Sequence, residues 1–202
     1  MSAPATLPVL SRLALTRRLV ALLTHGEAVV AGIGNSNFDL AAAGNRPENF
    51  AMLGSMGLAV PIALGVALAQ PRHRVIALEG DGSLLMNLGC LATVASAAPP
   101  NLIIVIWDNA AYQITGGQPS ATAGATDLVA VARGAGLAQA AWVTGEDEFA
   151  AAIARALHED GPHFFAARVD GAPGAARPER DPVLLKDRFM RGIGSKADGR
   201  AG

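Results

Sequence analysis

The feature that most constrains the fold is a set of short apolar runs, each followed by polar or glycine-rich residues. Residues 102–107 (LIIVIW) form the strongest run, and Asp108 and Asn109 follow it. An uninterrupted apolar run of this kind is typical of a strand covered on both faces. Because such runs alternate with stretches of helical periodicity, the sequence predicts an α/β fold, a single three-layer αβα domain with a mainly parallel sheet.

The predicted domain occupies residues 10–170, between an N-terminal extension (1–9) and a C-terminal tail (171–202) that docks a partner or covers the substrate. Residues 34–37 and 41–47 are expected to be turn and loop, and 112–126 a loop rich in Gly, Thr and Ala. The predicted strands are 28–33, 74–78, 102–107, 140–143 and 163–169, and the predicted helices are 10–25, 55–69, 84–97, 127–134 and 146–158.

Composition excludes several classes of protein. The formal net charge of -1 leaves no basic surplus for nucleic acid, and one cysteine excludes a disulfide framework or a multi-cysteine metal site within the chain. Residues 51–69 are uncharged and long enough to consider as a membrane span. We interpret them as a buried helix, since Pro61 interrupts them and aromatic anchors are absent. Residues 1–10 do not read as a signal peptide, so we expect a cytoplasmic protein.

Polar residues follow three of the predicted strands, where ligands bind in open α/β sheets. They are residues 34–36 (GNS), 80–83 (GDGS) and 108–109 (DN). Asp81 between two glycines can present a carboxylate beside free backbone amides, which suits a diphosphate bridged by a divalent ion. The Asn109 oxygen could be a second ligand, although both residues could instead cap helices. Glu79 is expected to pair with a nearby cation.

This pattern resembles the motif of thiamine-diphosphate-dependent enzymes: GDG at residues 80–82, a helix and a strand, then Asn109 within DNAAY. Residues 53–57 (LGSMG) look like the family's segment that holds the aminopyrimidine, and residues 34–36 resemble its diphosphate turn. The resemblance covers about residues 28–118. The chain departs from it at Asp108, where many members have Asn, and at Ala111, where many have Gly.

The resemblance implies a role for each matching position. Asp81, the Asn109 side chain and the Ala111 carbonyl would coordinate Mg²⁺. Gly82, Ser83 and Asn35 would hold the diphosphate, Ser83 through its amide and hydroxyl. The Gly54 carbonyl and the Met56 amide would meet the pyrimidine, and the Met56 side chain would support the bent cofactor. Ile114 and Thr115 would lie nearest the reacting carbon. The remaining residues expected at the cofactor are Ser36, Ser55, Gly80 and Tyr112.

Three longer sequence segments, at residues 49–57, 80–89 and 115–119, are similar to segments of sulfopyruvate decarboxylase β subunits and of the C-terminal half of phosphonopyruvate decarboxylases. The resemblance implies decarboxylation of a small 2-oxo acid, with an anionic group at C3, to an aldehyde and CO₂. That anion needs a cation or amide donors, and the candidate cations are Arg46, Lys186 and Arg188.

The family also needs a glutamate at the pyrimidine ring, carried by a second domain for which residues 10–170 leave no room. We therefore expect a separate α subunit to supply it, with the cofactor at the interface and the cofactor-binding domains paired about a dyad. The alternatives are a carboligase of the acetolactate synthase type, a 2-oxo acid:ferredoxin oxidoreductase subunit, and a non-catalytic thiamine-diphosphate-binding or scaffold protein.

Overall fold

A computed structural model describes residues 7–24 and 26–195 and contains a six-stranded sheet. All five strand pairings in this sheet are parallel. The predicted α/β class is therefore confirmed. The strands of the sheet are β1 (Ala28–Ala31), β2 (Asn49–Ala51), β3 (Val75–Gly80), β4 (Leu102–Asp108), β7 (Gln139–Trp142) and β8 (His163–Arg168). They lie in the order β2-β1-β3-β4-β8-β7. A separate hairpin consists of the two-residue strands β5 (Ala111–Tyr112) and β6 (Gln118–Pro119).

Helices cover both faces of the sheet. The β4 side chains alternate between two buried clusters, Ile104 and Ile106 on one face and Ile103 and Val105 on the other. This double burial explains why β4 carries no polar residue until its end. The helices are α1 (Arg12–Leu22), α2 (Asn35–Ala43), α3 (Ala59–Ala69), α4 (Asp81–Leu85), α5 (Gly89–Ala97), α6 (Leu128–Gly134), α7 (Glu146–Ala156) and α8 (Pro182–Gly192).

The strand order places a switch of direction between β1 and β3. The chain runs from β1 outward to β2, and then returns to form β3 on the other side of β1. Crossovers diverge at such a point and leave a crevice beyond the carboxyl ends of the strands. The residues that follow β1, β3 and β4 therefore meet at one edge of the sheet.

Several local predictions were wrong. Residues 34–37 and 41–47 were expected to be turn and loop, and this holds for Gly34 and residues 44–47, but residues 35–43 form α2. The strand β2, which pairs with β1, was not predicted. The helix expected at 84–97 is two helices, the first beginning at Asp81, and the loop 112–126 contains the hairpin and a short 3-10 helix, Ala121–Ala123. Within the described residues, no helix is both long and apolar enough to span a bilayer.

The C-terminal tail contains a docked helix that the sequence analysis missed. The Asp181 side chain caps α8 by accepting from the Val183 and Leu184 amides. Phe189 packs against Phe50 of β2 with ring centroids 5.3 Å apart, which attaches the helix to the sheet edge. His25, residues 1–6 of the predicted extension and residues 196–202 of the predicted tail lie outside the described residues.

Candidate active site

A cleft opens at the carboxyl edge of the sheet and gathers the sequence-predicted residues. Of the residues predicted at the cofactor, the metal or the reacting carbon, all line the cleft except Gly54 and Ser55. The predicted residues in the cleft are Asn35, Ser36, Met56, Gly80, Asp81, Gly82, Ser83, Asn109, Ala111, Tyr112, Ile114 and Thr115. Residues that the sequence analysis did not assign to the site also line it: Arg12, Ile33, Trp107, Gln113 and Val169.

Asp81 follows β3 directly and begins α4, with only 2% of its surface exposed. Its Oδ2 accepts hydrogen bonds from Ser120 Oγ at 2.5 Å and Thr122 Oγ1 at 3.0 Å. Burial raises the pKa of Asp81, and the nearby charge of Asp108 raises it further, against the lowering effect of the two hydroxyls. Among the ion pairs of residues 7–24 and 26–195, none joins Asp81 to a cation.

Asp108, the last residue of β4, shapes the turn that carries Asn109. Its Oδ2 lies 2.7 Å from Arg168 Nη1, and its Oδ1 lies 2.7 Å from Thr122 Oγ1, whose one hydroxyl proton can be donated to Asp108 or to Asp81. The same Oδ1 accepts from the Ala110 amide, whose residue has a φ of 61°. The hydroxyl of Thr122 therefore links the ends of β3 and β4, which neighbour each other through the pairing of Gly80 with Trp107.

Asn109 is held by residues that the motif alone did not indicate. Its Oδ1 accepts from the Ala111 amide at 3.1 Å, and its Nδ2 donates to Gln113 Oε1 at 2.9 Å. The same Gln113 oxygen accepts from Asn35 Nδ2 at 2.7 Å, while Gln113 Nε2 donates to the Gly171 carbonyl. Gln113 thus joins two predicted cofactor residues to the segment after β8. A single glutamine in a polar loop carries no sequence signal for this role.

Two side chains, Ser83 of α4 and Glu79 of β3, hold the segment 54–59. The Ser83 Oγ, expected at the diphosphate, accepts from the Gly57 amide at 2.8 Å. Glu79 was expected to pair with a cation, and this is wrong: its carboxylate accepts from the Ala59 and Gly80 amides, both at 3.2 Å, and no ion pair involves it in the described part of the chain. Burial raises the pKa of Glu79.

Two glycines allow side chains of the 111–115 loop to approach the strand ends. A Cβ on Gly82 would lie 2.6 Å from the Tyr112 ring. At Gly34, whose φ is 102°, a Cβ would lie 2.5 Å from Ile114 Cγ1. Larger residues at either position would displace a side chain that lines the cleft.

None of the three cations expected to bind a substrate anion lines the cleft. Arg46 precedes β2, and its Nη2 lies 3.7 Å from Glu27 and 3.6 Å from Glu48. Lys186 and Arg188 are on α8, where Arg188 donates to Asn45 Oδ1 at 3.1 Å. The cation that does line the cleft among the described residues is Arg12.

Comparison with known proteins agrees with this geometry. Residues 32–167 match the family model for thiamine pyrophosphate enzymes, C-terminal TPP binding domain. The chain is 39% identical over 185 residues to sulfopyruvate decarboxylase subunit beta of Methanocaldococcus jannaschii, across 90% of this chain and 96% of that protein. It is 39% identical over 193 residues to phosphonopyruvate decarboxylase of Streptomyces viridochromogenes, across 95% of this chain but 48% of that protein, so it spans about half of this relative.

The fold also matches a solved structure, the thiamine diphosphate-dependent 4-hydroxybenzoylformate decarboxylase of Rhodococcus jostii RHA1. The TM-score is 0.68 at 25% identity, across 84% of this chain and 34% of that one. The family match, the sequence relatives and the fold agree with one another. The chain belongs to the family of thiamine pyrophosphate enzymes and carries their C-terminal TPP binding domain.

Proposed function

We propose that the chain is the cofactor-binding subunit of a split thiamine-diphosphate-dependent 2-oxo acid decarboxylase. The observation that carries the proposal is the meeting of Asp81, Asn109 and Ala111 with Met56 in one cleft. Thiamine diphosphate, when bound, supplies the electron sink that a 2-oxo acid needs to lose CO₂. The chain supplies the binding site and the orientation of that cofactor.

Mg²⁺ is the metal we propose for the site. The Asp81 carboxylate, the Asn109 amide oxygen and the Ala111 carbonyl form an all-oxygen donor set, which Mg²⁺ prefers together with phosphate oxygens. A cation there would also neutralise a buried carboxylate that lies close to Asp108. Over residues 7–24 and 26–195 no cluster of three or more His, Cys, Asp or Glu side chains could hold a metal, which argues against a transition-metal site in that part of the chain.

The cleft residues divide between the two halves of the cofactor. We assign the diphosphate to the Gly82 and Ser83 amides and to Asn35, whose side chain reaches the cleft beside Gln113. We assign the aminopyrimidine to the segment with Gly54 and Met56. Ile114 is half exposed above Gly34, where with Thr115 it would exclude water from the reacting carbon.

The glutamate needed at the pyrimidine is proposed to come from a separate α chain. The support is that this chain aligns with 96% of a relative named subunit beta, and with about half of a phosphonopyruvate decarboxylase. Sulfopyruvate and phosphonopyruvate are accordingly the substrates we propose, each giving the aldehyde and CO₂. Pairing of two copies of this domain about a dyad completes the proposed assembly.

Co-expression with a candidate α chain, a pyrimidine-binding subunit from the same genome, tests the proposed function. We expect negligible turnover from this chain alone, because the glutamate is proposed to lie on the partner, and aldehyde release once the partner is present. The turnover of sulfopyruvate, phosphonopyruvate and pyruvate should be compared. The two substrates with an anionic group at C3 are expected to be favoured over pyruvate by at least about ten-fold, the gain expected from one charge-assisted contact. Substantial decarboxylation by the chain free of any partner would contradict the split arrangement.

A further inference from the structure

Glu79 is a buried carboxylate to which the proposed function gives no role. It lies near the end of β3, two residues before Asp81, and is 1% exposed. Its oxygens accept hydrogen bonds from the Ala59 and Gly80 amides, both at 3.2 Å. Because Ala59 begins α3 and Glu79 lies in β3, one side chain connects these two elements of the fold.

Two further side chains, one in α4 and one just after it, hold the segment that precedes α3. Ser83 Oγ accepts from the Gly57 amide at 2.8 Å, and Asn87 Nδ2 donates to the Gly57 carbonyl at 3.0 Å. Ser55 and Gly57 both have positive φ, of 60° and 85°. A turn with an L-residue in the left-handed region persists only where its surroundings hold it. Glu79 and Ser83 are central to those surroundings.

The tip of β1 closes the remaining side of Glu79. A Cβ on Gly32 would lie 2.0 Å from Glu79 Oε1, so the carboxylate packs directly against the glycine backbone. The side chain is therefore enclosed by β1 on one side and by the start of α3 on the other. It has little room to move, and any displacement would be transmitted to residues 54–59.

We propose that Glu79 is a positioning residue, which sets the place of Gly54 and Met56 relative to Asp81 by holding the Ala59 amide at the start of α3. This inference rests on the proposed assignment of those residues to the two halves of thiamine diphosphate. Glu79 thus affects binding of the pyrimidine half of the cofactor, whereas Asp81 and Asn109 affect binding of the diphosphate half.

Glu79→Gln tests this division with two probes, thiamine diphosphate and inorganic pyrophosphate, each with Mg²⁺ and the full chain. The substitution keeps the shape of the side chain but turns an NH₂ group toward groups that donate. We expect thiamine diphosphate to bind at least roughly ten-fold more weakly. Magnesium pyrophosphate, which lacks the pyrimidine, is expected to keep its affinity within about two-fold, since that change is under half a kcal/mol.

Glu148→Gln is the matched control. The Glu148 carboxylate also accepts from a backbone amide, that of Thr144 at 2.7 Å, and from the Thr144 hydroxyl at 2.8 Å, but it does not line the cleft. We expect this variant to bind both probes as the unaltered chain does. If Glu79→Gln does not fold, Glu79→Asp keeps the charge and shortens the reach to Ala59, so it should show the same selective loss to a smaller degree.

Parallel weakening of both probes, or unchanged binding of thiamine diphosphate by folded Glu79→Gln, would overturn the positioning role. A purely structural carboxylate would lower the stability without separating the two probes. Failure of the unaltered chain to bind thiamine diphosphate is a different result, because it would overturn the cofactor assignment itself.

Discussion

Asp81→Asn is expected to weaken binding of magnesium thiamine diphosphate by more than about 100-fold, and to remove decarboxylation in the presence of the partner. Loss of groups that only support metal ligands already costs roughly 10–100-fold, and Asp81 is proposed as a direct ligand. The amide keeps the shape of the side chain but lacks the negative charge that balances the metal. Calorimetric titration of the cofactor, with and without Mg²⁺, measures the change.

The same variant is expected to be at least as thermally stable as the unaltered chain. Burial raises the pKa of Asp81, so the ionised form is the costly one in the fold, and a neutral amide avoids that cost. Asp127→Asn is the matched control: Asp127 caps α6 and accepts from Trp142 outside the cleft, and Asn is an equally good cap. Retention of cofactor affinity in Asp81→Asn would contradict the metal assignment.

Arg12→Ala is expected to give the largest loss of stability of any single change considered. Arg12 Nε lies 2.8 Å from Asp39 Oδ2, and the two side chains are 3% and 1% exposed. Removing one partner of a buried ion pair leaves the other charge uncompensated, at a cost of about 3–5 kcal/mol. At about 2–4 °C for each kcal/mol in a chain of this size, the melting temperature should fall by roughly 6–20 °C.

Arg18→Ala provides the comparison on the same helix. Arg18 pairs with Glu146 and Asp147, but its side chain is 40% exposed, and such pairs contribute only about 0–1 kcal/mol. Denaturant unfolding of both variants measures the difference. If Arg12→Ala cost no more than Arg18→Ala, the buried pair could not be what ties α1 to α2. The carbonyls of Asp170 and Ala172, which accept from Arg12, would then also be held by other contacts.

The central strands, and the meeting of the proposed metal ligands in one cleft, could be predicted because a buried strand has a simple sequence pattern. A strand covered on both faces, such as β4, has apolar residues at every position until it reaches the rim. Adjacent parallel strands then place whatever follows them side by side. For this reason the sequence alone predicts that Asp81 and Asn109 lie close together.

The two helices that were not predicted, α2 and α8, bury either polar side chains or very few apolar ones. In α2, Asn37 and Asp39 are buried, with Asn37 donating to the Met52 carbonyl and Asp39 pairing with Arg12. An apolar stripe is therefore absent, and the Asn-rich start looks like a turn. In α8 only Leu185 and Phe189 are buried, and surrounding charge obscures so small a stripe.

The supporting residues of the site could not be predicted because they are distant along the chain. Ser120 and Thr122 reach Asp81 from about 40 positions away, in a loop whose composition indicates only flexibility. The contacts of Arg12 could not be predicted either, since an arginine in a helix is ordinarily solvated. Only the folding of the strands around the switch point gives these side chains their partners.

The most direct measurement is a crystal structure of the chain with thiamine diphosphate and Mn²⁺, which replaces Mg²⁺ and scatters anomalously. We expect one anomalous peak roughly 2.0–2.3 Å from both an Asp81 carboxylate oxygen and the Asn109 side-chain oxygen. A peak bonded to neither residue, or a cofactor bound outside the cleft at the ends of β3 and β4, would contradict the assignment.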